Sequence, residues 1–270
     1  MSTIPLVRFI VSFEFYDPNL VFLKLIVTVS FPLVDDPSTS LLAWTTTPWT
    51  LPSNLGLCVH PDYTYIKIHD TERDQNFIIH ENLLKTLYKD PKKAKFKKLA
   101  QFQGSDMKGW RYAPLFEYFT DQVRSLYQVH LKLTPSAFQF EDKAFRVLVD
   151  TYVTDEDGTG IVHQAPAFGE DDHRIAIAHG VLRPDEIPPC PIDDSGIFTK
   201  EVPDFAGLHV KVFFQNLDLV LLYLTTTGRR QSYSEGLKGQ GATDRSINFE
   251  PQLSILLEVN NGNIPLHPQR

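Results

Sequence analysis

Short runs of β-branched and aromatic residues, each cut off by proline, glycine or a polar turn, recur from about residue 28 to residue 212. This pattern restricts what the chain can fold into more than any other feature. Such runs favour extended backbone, and the punctuation keeps each strand short. "LVFLKLIVTVSF" reads as a buried strand, and "SLLAWTTTPWTL" as a strand over Leu41 to Thr47 that Pro48 and Pro52 bring to a stop. "YTYIKIHD" alternates: Tyr63, Tyr65, Lys67 and His69 face one way, Thr64, Ile66 and Ile68 the other. It reads as a half-buried strand, with "NFIIH" as its hairpin partner. "KFKKLAQFQG" and "FRVLVDTYV" are further strands, and "GIVHQA" a short one. Helical spacing is confined to "ENLLKTLYK", with Leu83, Leu84 and Leu87 ahead of Pro91, and to "EDDHRIAIAHG", whose acids suit a helix N-terminus and whose Gly180 suits its end. Many short strands with a few helices predict an α+β, largely β-barrel-like domain.

Composition narrows the function classes. The chain has 270 residues, 42% hydrophobic, and a formal charge of -7. That is enough apolar material for a sizeable core, and the wrong overall sign for a surface devoted to nucleic acid. "KDPKKAKFKK", with six lysines, is the best local basic patch; it suits phosphate contact or a solvated charged loop. Cys58 and Cys190 form no CxxC pair, which fits a reducing compartment, and both read as small buried apolar residues. The apolar N-terminus is interrupted by Asp17, Pro18, Asn19 and Lys24, short of the roughly 18 apolar residues of a spanning helix. No small-residue cleavage site follows it, so no signal peptide and no membrane partner are expected. Residues 1–27 and 213–270 are atypical beside the 28–212 body, and the polar, Gly/Ser/Gln-rich stretch after Gly228 is expected to be poorly ordered.

Two stretches carry chemistry. "DEDGTGIVHQAPAFGEDDHR", residues 155–174, offers His163, Asp171, Asp172 and His173 as metal ligands. Their spacing matches no tight zinc pattern, and no HExxH or paired CxxC occurs, so no metal or cofactor is expected. No GxSxG occurs and neither cysteine has a catalytic context, which argues against a nucleophilic triad. A third reading gives Gly158 and Gly160 a tight turn and close backbone approach to a ligand. His163 then ends a strand, and Asp172 opens a helix across a cleft, where its carboxylate suits a substrate ammonium. Taken alone, the acids fit helix caps and His163 a packed core histidine equally well. The other stretch is "WTTTPWTLPSN", residues 44–54. Thr45, Thr46, Thr47 and Thr50 set hydroxyls and backbone groups beside Trp44 and Trp49, which suits a small polar substrate or a developing oxyanion. An edge strand with its tryptophans in the core fits the same letters.

Together, "LLAWTTTPWTLPSNLGLCVHPDYTY" and, about a hundred residues later, "GTGIVHQAPAFGEDD" closely resemble the editing domain inserted in isoleucyl-tRNA synthetases, in the version of the eukaryotic cytosolic enzymes. "MKGWRYAPLFEYF" and "DDSGIFTKEVPDFAGLHV" resemble further segments of that family in the same order, so the resemblance covers about residues 28–212. It implies the β-barrel-like α+β fold of class I synthetase editing domains, shared with the valyl and leucyl enzymes. It also implies hydrolysis of valine mischarged onto the isoleucine tRNA. A missing methylene is worth only about 10–200-fold in a hydrophobic pocket, isoleucyl enzymes being the standard example, so a second, smaller site clears the error. By the same resemblance Asp172 holds the substrate ammonium and His163 lines the pocket against isoleucine. Thr45, Thr46, Thr47 and Thr50 surround the ester, with Thr46 and Thr47 beside Asp172 in catalysis and Trp49 and Gly160 in binding. A bound water attacks, helped by the terminal ribose of the tRNA. The implied partners are the tRNA acceptor end, the valine moiety and a parent synthetase body, in the cytoplasm. His173 stands where many relatives have tyrosine. No HIGH-type or KMSKS-type motif occurs, so the sequence gives no support for aminoacylation. The rival expectation is a non-catalytic remnant that binds aminoacyl ends without turnover.

Overall fold

The computed structural model describes residues 9–15, 23–88, 90–120 and 143–211. The expectations for residues 213–270, and those for most of residues 1–22, lie outside the described residues. Among the described residues nine strands form one mixed sheet: β1 (Phe9–Phe15), β2 (Leu23–Pro32), β3 (Thr39–Thr45), β4 (Gly56–Val59), β5 (Thr64–Asp70), β6 (Gln75–His80), β7 (Phe96–Gln103), β8 (Arg146–Val149) and β9 (Ile161–Gln164). The described residues also include the single-turn α-helix α1 (Leu84–Leu87) and the α-helix α2 (Glu170–Ala178).

β3 is the branch point. On one side it pairs antiparallel with β2, Val27 to Pro32 against Thr45 to Ser40. On the other it divides its length: Thr39 to Leu41 run parallel to β6, and Trp44 pairs in parallel with Val162 of β9. One strand cannot hold two neighbours on the same side unless the sheet splays, and the splay curls it. From β9 the sheet continues through antiparallel β4 to β8, which is parallel to β4. The 110–112 segment then closes the curl. Tyr112 bridges to Leu33 beyond β2, Arg111 bridges to Arg146 of β8, and Ala113 N donates to Pro32 O at 2.8 Å. The largely β, barrel-like α+β fold expected from the sequence is what these pairings form, and closure removes open edges from this part of the sheet.

The barrel interior is apolar: Val27, Phe31, Leu41, Leu57, Val147 and Ile161 are all buried to 1% exposure or less. A second cluster of Leu42, Ile66, Ile68, Phe77, Ile79 and Leu87 fills the space between the β5–β6 hairpin and α1. β5 is half-buried as its alternation predicts: Ile66 and Ile68 on one face lie in the second cluster, while on the other Tyr65 reaches the main core and Lys67 and His69 stay partly exposed. β7 pairs with β5 as expected, with a bulge between Lys67 and Ile68. Helix α1 is shorter than its leucine spacing predicts, because Glu81–Leu83 takes the tighter 3-10 form first. Of the two cysteines, Cys58 is buried in β4, whereas Cys190 is exposed in the loop after α2, against the buried reading.

The Gly158–Thr159–Gly160 turn precedes β9 with both glycines at positive φ, +76° and +71°. A Cβ on Gly158 would lie 1.1 Å from Trp44 Nε1, and one on Gly160 2.4 Å from His80 Cβ. Close approach is thus real, and what approaches here is Trp44 and His80. Gly160→Ala is expected to lose about 2–4 kcal/mol, from the left-handed backbone and the overpacking together, read as a lowered urea midpoint. A midpoint within about 0.5 kcal/mol of wild type would contradict this packing.

Candidate functional site

Parallel pairing of Trp44 with Val162 makes β3 and β9 end side by side. The threonine-rich stretch leaves the end of β3, and His163 sits near the end of β9. Pro48 fixes the first helical position of a short 3-10 helix, Pro48–Ser53, which folds the chain back so that Thr50 and Asn54 face His163. Trp49, on the same helix, meets Phe168 edge-on at 4.8 Å, tying this segment to the loop ahead of α2.

His163 is 7% exposed. Its Nδ1 lies 2.9 Å from Asn54 Nδ2, and its Nε2 lies 2.9 Å from Thr50 Oγ1. Asn54 Nδ2 also donates to Gly56 O at 2.9 Å, and Asn54 Oδ1 accepts from the Tyr112 hydroxyl at 2.6 Å. Thr50 Oγ1 donates to Thr47 O at 2.8 Å. Burial alone lowers the imidazole's proton affinity, to a pKa of about 4, so His163 is neutral near pH 7.

The threonines divide into held and free groups. Thr45 Oγ1 accepts from the Thr47 N–H at 3.0 Å and lies 3.3 Å from Thr47 Oγ1. Thr45 and Thr50 are buried, Thr46 is half-buried and Thr47 exposed. Among the described residues the Thr46 hydroxyl makes no hydrogen bond. The stretch therefore spends Thr45 and Thr50 on holding the turn, leaves the Thr46 hydroxyl unengaged and exposes Thr47, whose hydroxyl meets Thr45 Oγ1.

Asp172 is the third position of α2, whose N-cap is Gly169 with no side-chain cap. Its carboxylate does not cap the helix. Oδ2 reaches back and accepts from the Ala165 N–H at 2.8 Å, two residues past His163. Burial raises its pKa, against the lowering by the Ala165 bond, and Asp171 raises it further. Among the described residues Oδ1 accepts no hydrogen bond. A half-buried carboxylate with one oxygen unengaged favours a cationic partner. The helix that carries it is fixed independently. Arg174 bonds both oxygens of Asp150 at 2.9 and 3.1 Å, His179 Nε2 meets Val149 O at 2.9 Å, and Ile175 and Ala176 are buried. Gly180 closes the helix at φ +69°, with Gly180 N and Val181 N donating to Ile177 O and Ala176 O.

The structure thus links Thr45, Thr47, Thr50 and His163 through hydrogen bonds, with Thr46 and Trp49 between them along the chain and Asp172 anchored to Ala165, two residues past His163. Gly160 stands apart, its carbonyl accepting from the Tyr65 hydroxyl at 2.7 Å. The basic stretch is partly neutralised: Lys93, Lys95 and Lys98 pair with Asp90, Glu72 and Glu81. Asn54, Tyr112 and Phe168 were not singled out from sequence. Asn54 closes the threonine-rich stretch four residues after Thr50, one helical turn on, and that spacing was the available signal.

His163 also dictates a pH response. Between about pH 6.5 and about pH 4 the unfolded chain binds a proton on this residue that the folded chain does not. Stability from this group is therefore complete above pH 6.5 and lost as pH falls through that window, by roughly 3 kcal/mol in full. His163→Gln should lose less stability than wild type between pH 7 and pH 5, both measured by urea unfolding. Equal losses would mean that His163 is not held neutral.

The sequence is 48% identical over 202 residues to the cytoplasmic isoleucine–tRNA ligase of Saccharomyces cerevisiae, covering 75% of this chain and 17% of the yeast protein. It is 48% identical over 185 residues to that of Schizosaccharomyces pombe, covering 68% and 16%, and 48% identical over 191 residues to that of Mus musculus, covering 71% and 14%. The chain thus spans about one sixth of the length of these relatives. No family model matches it. A solved structure described as GlLeuRS-CP1 superposes with a TM-score of 0.49 at 17% identity, covering 73% of this chain and 96% of its own. The P. knowlesi cytosolic leucyl-tRNA synthetase editing domain superposes at 0.39 and 16% identity, covering 55% and 59%. With nearly half its residues identical over about 200 positions, the chain is homologous to one segment of the cytoplasmic isoleucine–tRNA ligases.

Proposed function

We propose that residues 28–212 form an editing module that hydrolyses the ester between valine and the isoleucine tRNA, acting in the cytoplasm on the acceptor end presented by a synthetase body. The observation that carries this reading is the linked set of Thr50, His163 and Thr47, with the Asp172 carboxylate anchored to Ala165 at the same strand end. Homology to isoleucine–tRNA ligases supports the choice of tRNA and of amino acid class.

In this reading Asp172 Oδ1 receives the α-ammonium, since burial disfavours the isolated carboxylate and an incoming cation relieves it. The neutral His163 forms part of the side-chain wall, where a rigid, close-packed surface rejects the extra methylene of isoleucine. The hydroxyls of Thr46 and Thr47, with nearby backbone N–H groups, stabilise the oxyanion that develops when water attacks the ester carbonyl. The proton for the departing ribose oxygen and the activation of water fall to the substrate's own ribose hydroxyl. No side chain in this set is needed as a nucleophile.

The test is deacylation of valyl- and isoleucyl-tRNA(Ile) by the purified chain and by Asp172→Ala and Asp172→Asn. Asp172→Asn keeps an oxygen for the Ala165 N–H while removing the charge, so folding is retained. Wild type is expected to release valine and spare isoleucine, and both variants to lose roughly 10²-fold or more in kcat/KM. Full activity of folded Asp172→Asn would sink the ammonium role. Failure of folded wild type on both substrates would favour a remnant that binds without turnover.

A further inference from the structure

The polarity of the hydrogen bonds around His163 is fixed from both ends. Gly56 O and Thr47 O are backbone carbonyls, which only accept. The Asn54 side-chain atom facing Gly56 O must therefore be its NH₂, and that same NH₂ faces His163 Nδ1. Nδ1 is thereby an acceptor and carries no hydrogen. The ring's one hydrogen sits on Nε2 and points at Thr50 Oγ1, whose own hydrogen is committed to Thr47 O. Reversing any one of these bonds would set two donors or two acceptors face to face, which in a buried site costs more than the bond itself.

The orientation of Asn54 rests in turn on Tyr112. The tyrosine hydroxyl donates to Asn54 Oδ1 and has no other partner in the described residues. Its ring is 1% exposed and held edge-on against Phe31 at 5.2 Å and Phe145 at 6.4 Å. Its backbone N–H donates to Phe145 O at 3.0 Å, and the residue bridges to Leu33 at the barrel's closing seam. The hydroxyl thus points where the barrel closure puts it.

We infer that Tyr112 and Asn54 are positioning residues that hold His163 as an Nε2–H donor to Thr50, and so fix which polar groups of the threonine turn are left for a substrate. The link to substrate rests on the editing function proposed above; the assignment of the imidazole hydrogen does not. The two residues touch the ring and its partners and act through them. They tie the geometry of the threonine turn to the seam that closes the barrel.

The experiment is long-range proton–nitrogen correlation spectroscopy on the full chain labelled with nitrogen-15, with the His163 signals identified by their loss in His163→Gln. Wild type should show Nε2 protonated and Nδ1 bare at neutral pH. Asn54→Asp offers Nδ1 an acceptor instead of a donor and should move a hydrogen onto Nδ1. Tyr112→Phe keeps the ring's packing, frees the amide and should give a mixture of the two tautomers. Release of valine from valyl-tRNA(Ile) should fall about tenfold in Tyr112→Phe, the scale of one buried hydrogen bond lost. A wild-type ring protonated on Nδ1 would overturn the inference. So would an unchanged Nε2–H pattern in both folded variants, even if hydrolysis fell, since a merely structural role predicts that result. If the tautomers respond as stated while no form hydrolyses the ester, the editing proposal fails and the positioning assignment stands.

Discussion

A histidine buried in an apolar barrel has to find partners for both ring nitrogens, and much of the site follows from how His163 does so. One nitrogen must meet a donor and the other an acceptor if the ring is to stay neutral. The donor comes from Asn54, the C-cap of the short 3-10 helix, and the acceptor from Thr50 within it. The helix cannot tilt or slide without breaking one of these bonds. Pro48 at its start and Leu51, 1% exposed, press it against the core. The threonine turn is therefore held both by its own local bonds through Thr45 and Thr50 and by the polar relay to His163.

That relay is possible only because β3 divides its neighbours. Were β6 to continue alongside β3 for its whole length, β9 would have no place beside Trp44, and His163 would end far from Thr50. The turn before β9 supports the division: Gly158 lies under the Trp44 indole and Gly160 against His80. Backbone without side chains is what lets β9 come in beside β3 at this point. The same arrival places Ala165 at the strand end, where its N–H takes the Asp172 carboxylate. One choice of strand partner thus positions both the imidazole and the acid.

The strands with clear alternation or β-branched content could be read directly: β5, β7, β8 and β9 lie within the segments expected, β2 and β6 overrun theirs by one residue, and β3 runs Thr39–Thr45 where Leu41 to Thr47 is expected, because the turn bonds of Thr45 and Thr47 end it early. β4 could not. "GLCV" is buried at all four positions, so it shows no alternation, begins with glycine and follows a proline-rich turn. Its identity as a strand comes from β8 and β9 on either side. β1 was likewise not foreseen. The barrel's closure rests on isolated bridges at Leu33, Arg111 and Tyr112, and a single bridge leaves no periodic trace in sequence. For the site, Thr45, Thr46, Thr47, Thr50, His163 and Asp172 stood out by residue type, and their long, specific motifs carried the family resemblance. What the letters could not give was which hydroxyls are consumed internally. Nor could they show that Asp172 turns away from its helix toward Ala165. The first depends in part on the Thr50–His163 contact, which spans more than a hundred residues of chain, and the second on how the loop between β9 and α2 folds back.

The two ionisable groups of the candidate site, His163 and Asp172, are pushed by burial toward their neutral forms in opposite senses. A buried imidazole resists gaining a proton, and His163 has no acid among its partners to reverse that. A buried carboxylate resists losing one, and Asp172 has a single backbone N–H and a neighbouring acid, Asp171, in place of a cation. Asp171 is itself spoken for by Arg174, which also grips Asp150, so the nearby guanidinium is not directed at Asp172. The arrangement therefore carries a local deficit of positive charge at one oxygen of the Asp172 carboxylate. A ligand bringing a single ammonium corrects the deficit and becomes oriented in doing so, whereas a ligand bringing an anion meets no compensating charge. On the editing function proposed above, an aminoacyl ester, cationic at its α-nitrogen and neutral at its carbonyl, would match such a field in a way that a free amino acid, with its carboxylate, would not.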